Sequence, residues 1–232
     1  MNTVINDFIV AFLHPFKTHE ALCRNRALAK EKIEKRTLSI ASDEHEKDDK
    51  HFNENGLSFV EVLSISWIMA IINGIYSIGF IYLGFLTSDA LVDSESLSFL
   101  VKGDITLESQ KVLISWTIVQ AIFFPITLWF YSKVWMVIIK FFGNLFDFDG
   151  DIEKVSSQIV NHSIVTNLFL IIPIFGEIIR HFSSIIYLFA GLRKNMSLTT
   201  LQSLIVICSP LFIFVLLILL VIMYFSTLFA ML

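Results

Sequence analysis

Asn161, His162, Asn167, Glu177, Arg180 and His181 crowd into one short stretch of an otherwise apolar region running from Ser156 to Arg193. Amides, imidazoles, a carboxylate and a guanidinium on greasy helices could relay protons or coordinate an ion, and intramembrane polar groups default to a functional hypothesis when unpaired. The same types also serve as interhelical glue, because each polar group in hydrocarbon must find a protein partner. Glu177 and Arg180 lie three apart, on one face of a helix, and can pair with each other. A relay through Glu177, Arg180 and His181 and a purely structural role are therefore both open at this level.

Two other clusters invite a metal and fail on spacing. Asp147, Asp149 and Asp151 alternate around Gly150, yet a calcium loop starting at Asp147 would put glycine fourth instead of sixth and Gln158 at the position of the bidentate glutamate. The turn reads instead as an acidic cap for the helix that follows. His45 and His51 sit among acids in a stretch with no rigid element to fix ligand spacing. No His-Glu-x-x-His, Gly-x-Ser-x-Gly or phosphate-loop pattern occurs. The expectation is a protein without enzymatic chemistry, cofactor or metal.

The elements that must hold the polar cluster follow from composition. Hydrophobic residues make up 55% of the 232, charged residues 16%, and mean hydropathy is +0.73. One soluble core could not bury that much apolar surface, so the natural solvent is a bilayer. Cys23 and Cys208 fall one in a polar and one in an apolar segment, which points to free thiols.

Residues 1–38 read as an amphipathic and basic helical segment. Val4, Ile5, Phe8, Ile9, Phe12 and Leu13 recur at helical spacing up to Pro15, and the stripe can lie in the headgroup plane or on the bundle itself. Arg24, Arg26, Lys30, Lys32, Lys35 and Arg36 follow, a basic set suited to a cytoplasmic membrane surface. Without interleaved aromatics, the set does not suit nucleic acid. Residues 39–56 are a charged flexible linker.

Residues 57–232 give five apolar spans, at about 57–86, 112–142, 156–175, 177–192 and 201–232, hence an all-α integral membrane protein with a five-transmembrane-helix bundle. Pro125 and Pro210 interrupt the second and fifth spans, and Pro173 with Gly176 forms the corner between the third and fourth. Lys133, near the end of the second span, is expected to snorkel. Ala70, Gly74 and Ser77 share a face of the first span suited to close helix approach. The basic segments alternate with the acidic 87–111 loop and the bare C-terminus, which places the N-terminus in the cytoplasm and the C-terminus across the membrane.

Several of these features are similar to one family. The Ile171-Ile-Pro173-Ile-Phe-Gly176 corner, a fourth span ending Phe189-Ala-Gly191-Leu-Arg193, the Met196-Ser197-Leu198 turn and a last span with Pro210 resemble the bacterial branch of the Yip domain family, membrane proteins named for interaction with Ypt/Rab GTPases. The Phe12-Leu-His-Pro15 lead-in resembles it too. The resemblance implies a five-helix bundle with a cytoplasmic N-terminus in the bacterial inner membrane. Gly56-Leu57-Ser58-Phe59 stands where eukaryotic members carry an Asp-Leu-Tyr-Gly-Pro-type motif, so Rab-type GTPase binding is not carried over.

Two functions follow as expectations. The first is a membrane scaffold that organises partner proteins or lipids, as a homo-oligomer or a subunit of a larger complex. The alternative is a transporter or channel component that uses the polar third and fourth spans.

Overall fold

A computed structural model describes residues 2–38, 56–92 and 107–231. The 39–55 linker with His45 and His51, and 93–106 of the acidic loop, lie outside the described residues. Helix α1 spans Asn2–Leu13 and α2 spans Pro15–Leu38. Proline starts α2 because the first helical position needs no N–H and suits its fixed φ. The junction stays tight: His14 N donates to Val10 O, while His14 O accepts from Thr18 N and the Thr18 hydroxyl.

Helix α3 spans Phe59–Val92. It opens with a reciprocal cap, in which Ser58 N donates to the Glu61 carboxylate at 2.9 Å and Glu61 N donates to the Ser58 hydroxyl at 3.3 Å. Helix α4, Leu107–Leu145, returns antiparallel to it. Gly74 faces α4, but a Cβ there would make only ordinary contacts, 3.8 Å from the Ala121 methyl and 3.9 Å from Thr117 Cγ2, so the expected close approach does not depend on a glycine here.

The later half of α4 packs on α5, Ile152–Ile164. Asp151 caps α5 by accepting from Glu153 N and Lys154 N, so the aspartate turn is a cap. Lys140 pairs with Glu153 at 2.8 Å across the α4–α5 junction.

The span expected as one helix over 156–175 departs from that form. Its α-helix ends at Ile164 and tightens into a 3₁₀ segment, Val165–Ile171, before the corner. Hydroxyls drive the change: Ser163 donates to Val160 O and Thr166 to Ser163 O, both of which compete with the α-helical ladder. Helix α6 spans Gly176–Lys194. A side chain at Gly176 would meet Phe169 O at 2.2 Å, so only glycine fits where α6 starts against that backbone. Gly191 does the same at the other end, with Ile159 Cγ2 at 2.7 Å from its would-be Cβ.

Helix α7 spans Thr200–Met231, opened by a Thr199–Gln202 capping box. It packs through Ser203, Val206 and Ser209, and then every side chain from Leu211 to Phe225 is exposed.

Both prolines sit inside continuous helices, and the carbonyl each one frees is taken. Pro125 cannot donate to Ala121 O, which accepts instead from Trp67 Nε1 at 3.0 Å. Pro210 cannot donate to Val206 O, which accepts from the Ser209 hydroxyl at 2.8 Å. Freed carbonyls in an apolar medium need such partners.

Among the described residues, three helices are long and apolar enough to cross a membrane: Phe59–Ser88, Glu108–Leu145 and Thr200–Thr227. The expected third and fourth spans do not join that group. Helix α5 has 13 residues, several of them polar, while α6 carries Glu177, Arg180, Arg193 and Lys194. They form instead the central hairpin, with α5 almost wholly buried.

Candidate functional site

The six candidate residues separate into two groups along the hairpin. Asn161 and His162, buried on α5, face the N-terminal helices and the start of α3. Asn161 Nδ2 donates to Leu57 O at 3.0 Å. His162 Nδ1 lies 2.7 Å from Gln158 O, and its ring sits 4.8 Å from that of His19 on α2. Gly56, at φ +65°, leaves room for the imidazole; a Cβ there would lie 3.2 Å from His162 Cε1.

His19 is fully buried, and neither ring nitrogen has a hydrogen-bond partner among the described residues. Burial, and then the neighbouring His162, hold its pKa well below the ordinary 6.5. The imidazole is therefore neutral at neutral pH.

One further step toward the α5 N-terminus, Arg26 donates to Asn195 O at 2.7 Å and to Asn195 Oδ1 at 2.6 Å, with its guanidinium 5.8 Å from the Phe148 ring. Asn195 Nδ2 in turn donates to Gln158 Oε1 at 3.1 Å. Lys194 and Glu20 pair at 3.4 Å. At the α1–α2 junction the Tyr187 hydroxyl donates to Phe12 O, and the Phe12 ring meets Phe169 at 4.9 Å.

Arg26 is thus a half-buried tether and not part of the membrane-surface set. Arg24 and Lys30 are exposed; Lys32, Lys35 and Arg36 belong to α2, with side chains outside the described residues. The amphipathic α1 packs on the bundle, burying Phe8 and Ala11 while Ile5, Ile9 and Leu13 stay exposed.

The second group surrounds a cavity of about 320 Å³ between α4, the α5–3₁₀ unit and α6. Arg180 Nη1 donates to Asn167 Oδ1 at 3.3 Å, and Nη2 lies 3.2 Å from Glu177 Oε1 and 3.1 Å from His181 Nε2. The expected Glu177–Arg180 pair is formed. Glu177 and His181 are mostly exposed, at 62% and 66%, whereas the Arg180 side chain is only 18% exposed. On the α4 side, the Tyr131 and Ser184 hydroxyls share a 2.8 Å hydrogen bond.

Comparison of the chain with protein-family models, curated proteins and solved structures gives no match. Its site must be read from its own side chains. Sequence reasoning missed His19, Gln158, Asn195 and Tyr131, whose partners lie far along the chain. Arg26 carried one visible signal, a helical position two turns from His19, but nothing in the sequence marked Asn195 as its acceptor. Among the described residues no three His, Cys, Asp or Glu side chains converge as a metal site would require.

Proposed function

We propose that this chain is a non-enzymatic integral membrane protein, a five-span bundle of the Yip type, that organises partner proteins or lipids and presents a basic N-terminal helix to them. The observation that carries this reading is where the hairpin's polar groups go. Asn161, Gln158 and Asn195 are bound to the segment before α3 and to one another, and Asn195 to Arg26, so they fasten α2 and α3 to the hairpin. Polar residues with partners inside the protein are glue rather than a path.

Length accommodates five spans once the 3₁₀ segment is added to α5. The α5–3₁₀ unit rises about 34 Å and α6 about 29 Å, against a hydrocarbon core of roughly 30 Å. Lys30, Lys140, Lys154, Arg193 and Lys194 gather toward the hairpin's open end, which suits the cytoplasmic face of a bacterial inner membrane. With five spans the C-terminus lies on the opposite side. The bare apolar half of α7 suits lipid, a second copy or another subunit.

The test is purification from native membranes in gentle detergent, with total mass and co-purifying chains measured, beside flux assays in liposomes. A stoichiometric partner that is lost on reversing the charges of Arg24 and Lys30, with no flux above empty liposomes, is the expected result. A chain that carries ions with no partner would refute it. The transporter reading keeps one supporting observation, the cavity beside Arg180 and Asn167.

A further inference from the structure

We propose that the cavity between α4, the α5–3₁₀ unit and α6 binds a phosphate group, either the phosphodiester of an anionic lipid or free inorganic phosphate. At about 320 Å³ the cavity falls in the range of small-ligand sites. Arg180 lines it with most of its side chain out of solvent. Among the described residues no carboxylate lines it; Glu177 pairs with Arg180 from outside the wall.

A donor count shows what is missing. A guanidinium carries five N–H groups. Asn167, Glu177 and His181 account for three, which leaves Nε–H and one Nη1–H; Nε has no partner among the described residues. Asn167 is 3% exposed, and its Nδ2 likewise has no partner there. Tyr131 also hydrogen-bonds Ser163, whose own hydroxyl donates to Val160 O, so both protons of the Tyr131–Ser184 pair are placed. The cavity edge therefore offers cationic N–H donors and an amide N–H with no acceptor among the described residues. Buried donors are normally satisfied, and a phosphate oxygen triad matches the arginine fork.

The remaining wall suits an acyl chain. Phe124, Leu128, Trp135 and Leu188 supply apolar surface next to the donors. Arg180 sits about one turn into α6 from a corner whose Ile172, Ile174 and Phe175 are exposed and apolar. The lipid source rests on the membrane reading above; the phosphate chemistry does not.

The experiment uses the full chain in neutral detergent, followed by native mass spectrometry and thermal unfolding, with three probes: phosphatidylglycerol, phosphatidylcholine and inorganic phosphate. Retention of one phosphatidylglycerol, with no competition from phosphate, identifies a lipid headgroup. Displacement or stabilisation by phosphate alone identifies the free anion. Either result supports the site if affinity falls roughly ten- to a hundredfold in Arg180→Gln, as loss of charged hydrogen bonds predicts.

Affinity must fall likewise in Thr127→Trp, which fills the cavity from an exposed wall position, and stay unchanged in Lys111→Gln, which removes an exposed cation near the start of α4, away from the cavity. If Arg180→Gln fails to fold, Arg180→Lys and Asn167→Asp, which swaps the amide donor for an acceptor, replace it, and wild-type affinity in both overturns the site. Binding that ignores the cavity variants, or no binding of either phosphate probe, also overturns it. A failed scaffold test leaves these outcomes independent, because they need no partner.

Discussion

Replacing Trp67 with phenylalanine is expected to destabilise the α3–α4 pair, and to do so only while position 125 is proline. The indole N–H reaches Ala121 O at 3.0 Å, the acceptor that Pro125 leaves without its helical donor. Phenylalanine keeps most of the ring's packing and removes the donor. Net hydrogen-bond contributions are about 1 kcal/mol, and side-chain bonds within membranes average about 0.6 with a maximum near 1.7. The loss should therefore be about 1 kcal/mol, roughly a fivefold change in the folded-to-unfolded ratio.

In a Pro125→Ala background the alanine N–H can close the i to i−4 bond, and the carbonyl no longer needs Trp67. A double-mutant cycle in mixed micelles isolates this dependence, with unfolding by an ionic detergent followed by circular dichroism. Packing differences between tryptophan and phenylalanine cancel across the cycle. The expected coupling energy is about 1 kcal/mol; a Trp67→Phe cost equal in both backgrounds, within about 0.3 kcal/mol, would refute the reasoning.

Three further outcomes follow from the same geometry. Gly176→Ala should destabilise by about 3 kcal/mol or prevent folding, because the new methyl meets backbone, whereas Gly191→Ala should cost about 1–3 kcal/mol and be partly rescued by Ile159→Ala; thermal unfolding of the four proteins checks both. Asn161→Leu should leave Leu57 O without its donor, cost about 1–3 kcal/mol and expose the Gly56–Leu57 junction to protease sooner than in wild type. The folded state holds the His19 pKa below 6.5, so the unfolded state binds more protons between the two values and stability rises with pH in that window. Full stability is expected above about pH 6.5, with a loss below it approaching 1.4 kcal/mol per pH unit. His19→Leu should flatten that slope, and an unchanged slope would shift the cause to another group.

The structure also divides the polar hairpin. Asn161 and His162 do not share a chamber with Arg180; the first two face α2 and the start of α3, and the third faces α4. A continuous relay along the hairpin would have to pass through Ile164 and Val165, both buried and apolar. The two halves therefore separate into a docking face and a cavity, and the experiments above address each by itself.

Sequence by itself determined the helical, membrane-adapted class, because hydrophobic runs longer than a bilayer is thick do not depend on what they pack against. It also placed the breaks at Pro15, at the Asp151 cap and at the Pro173–Gly176 corner, since proline, capping aspartate and glycine act through their own backbone. Glu177 and Arg180 were legible as a pair for the same reason, being neighbours on one helix face. What tertiary structure alone decided is which distant residues meet. Arg26 with Asn195, His19 with His162, Trp67 with Ala121 and Tyr131 with Ser184 are matched by how the helices cross. A periodic pattern states which face is apolar, but polar side chains in low dielectric take whichever acceptor the packing brings within about 3 Å, and that choice belongs to the fold.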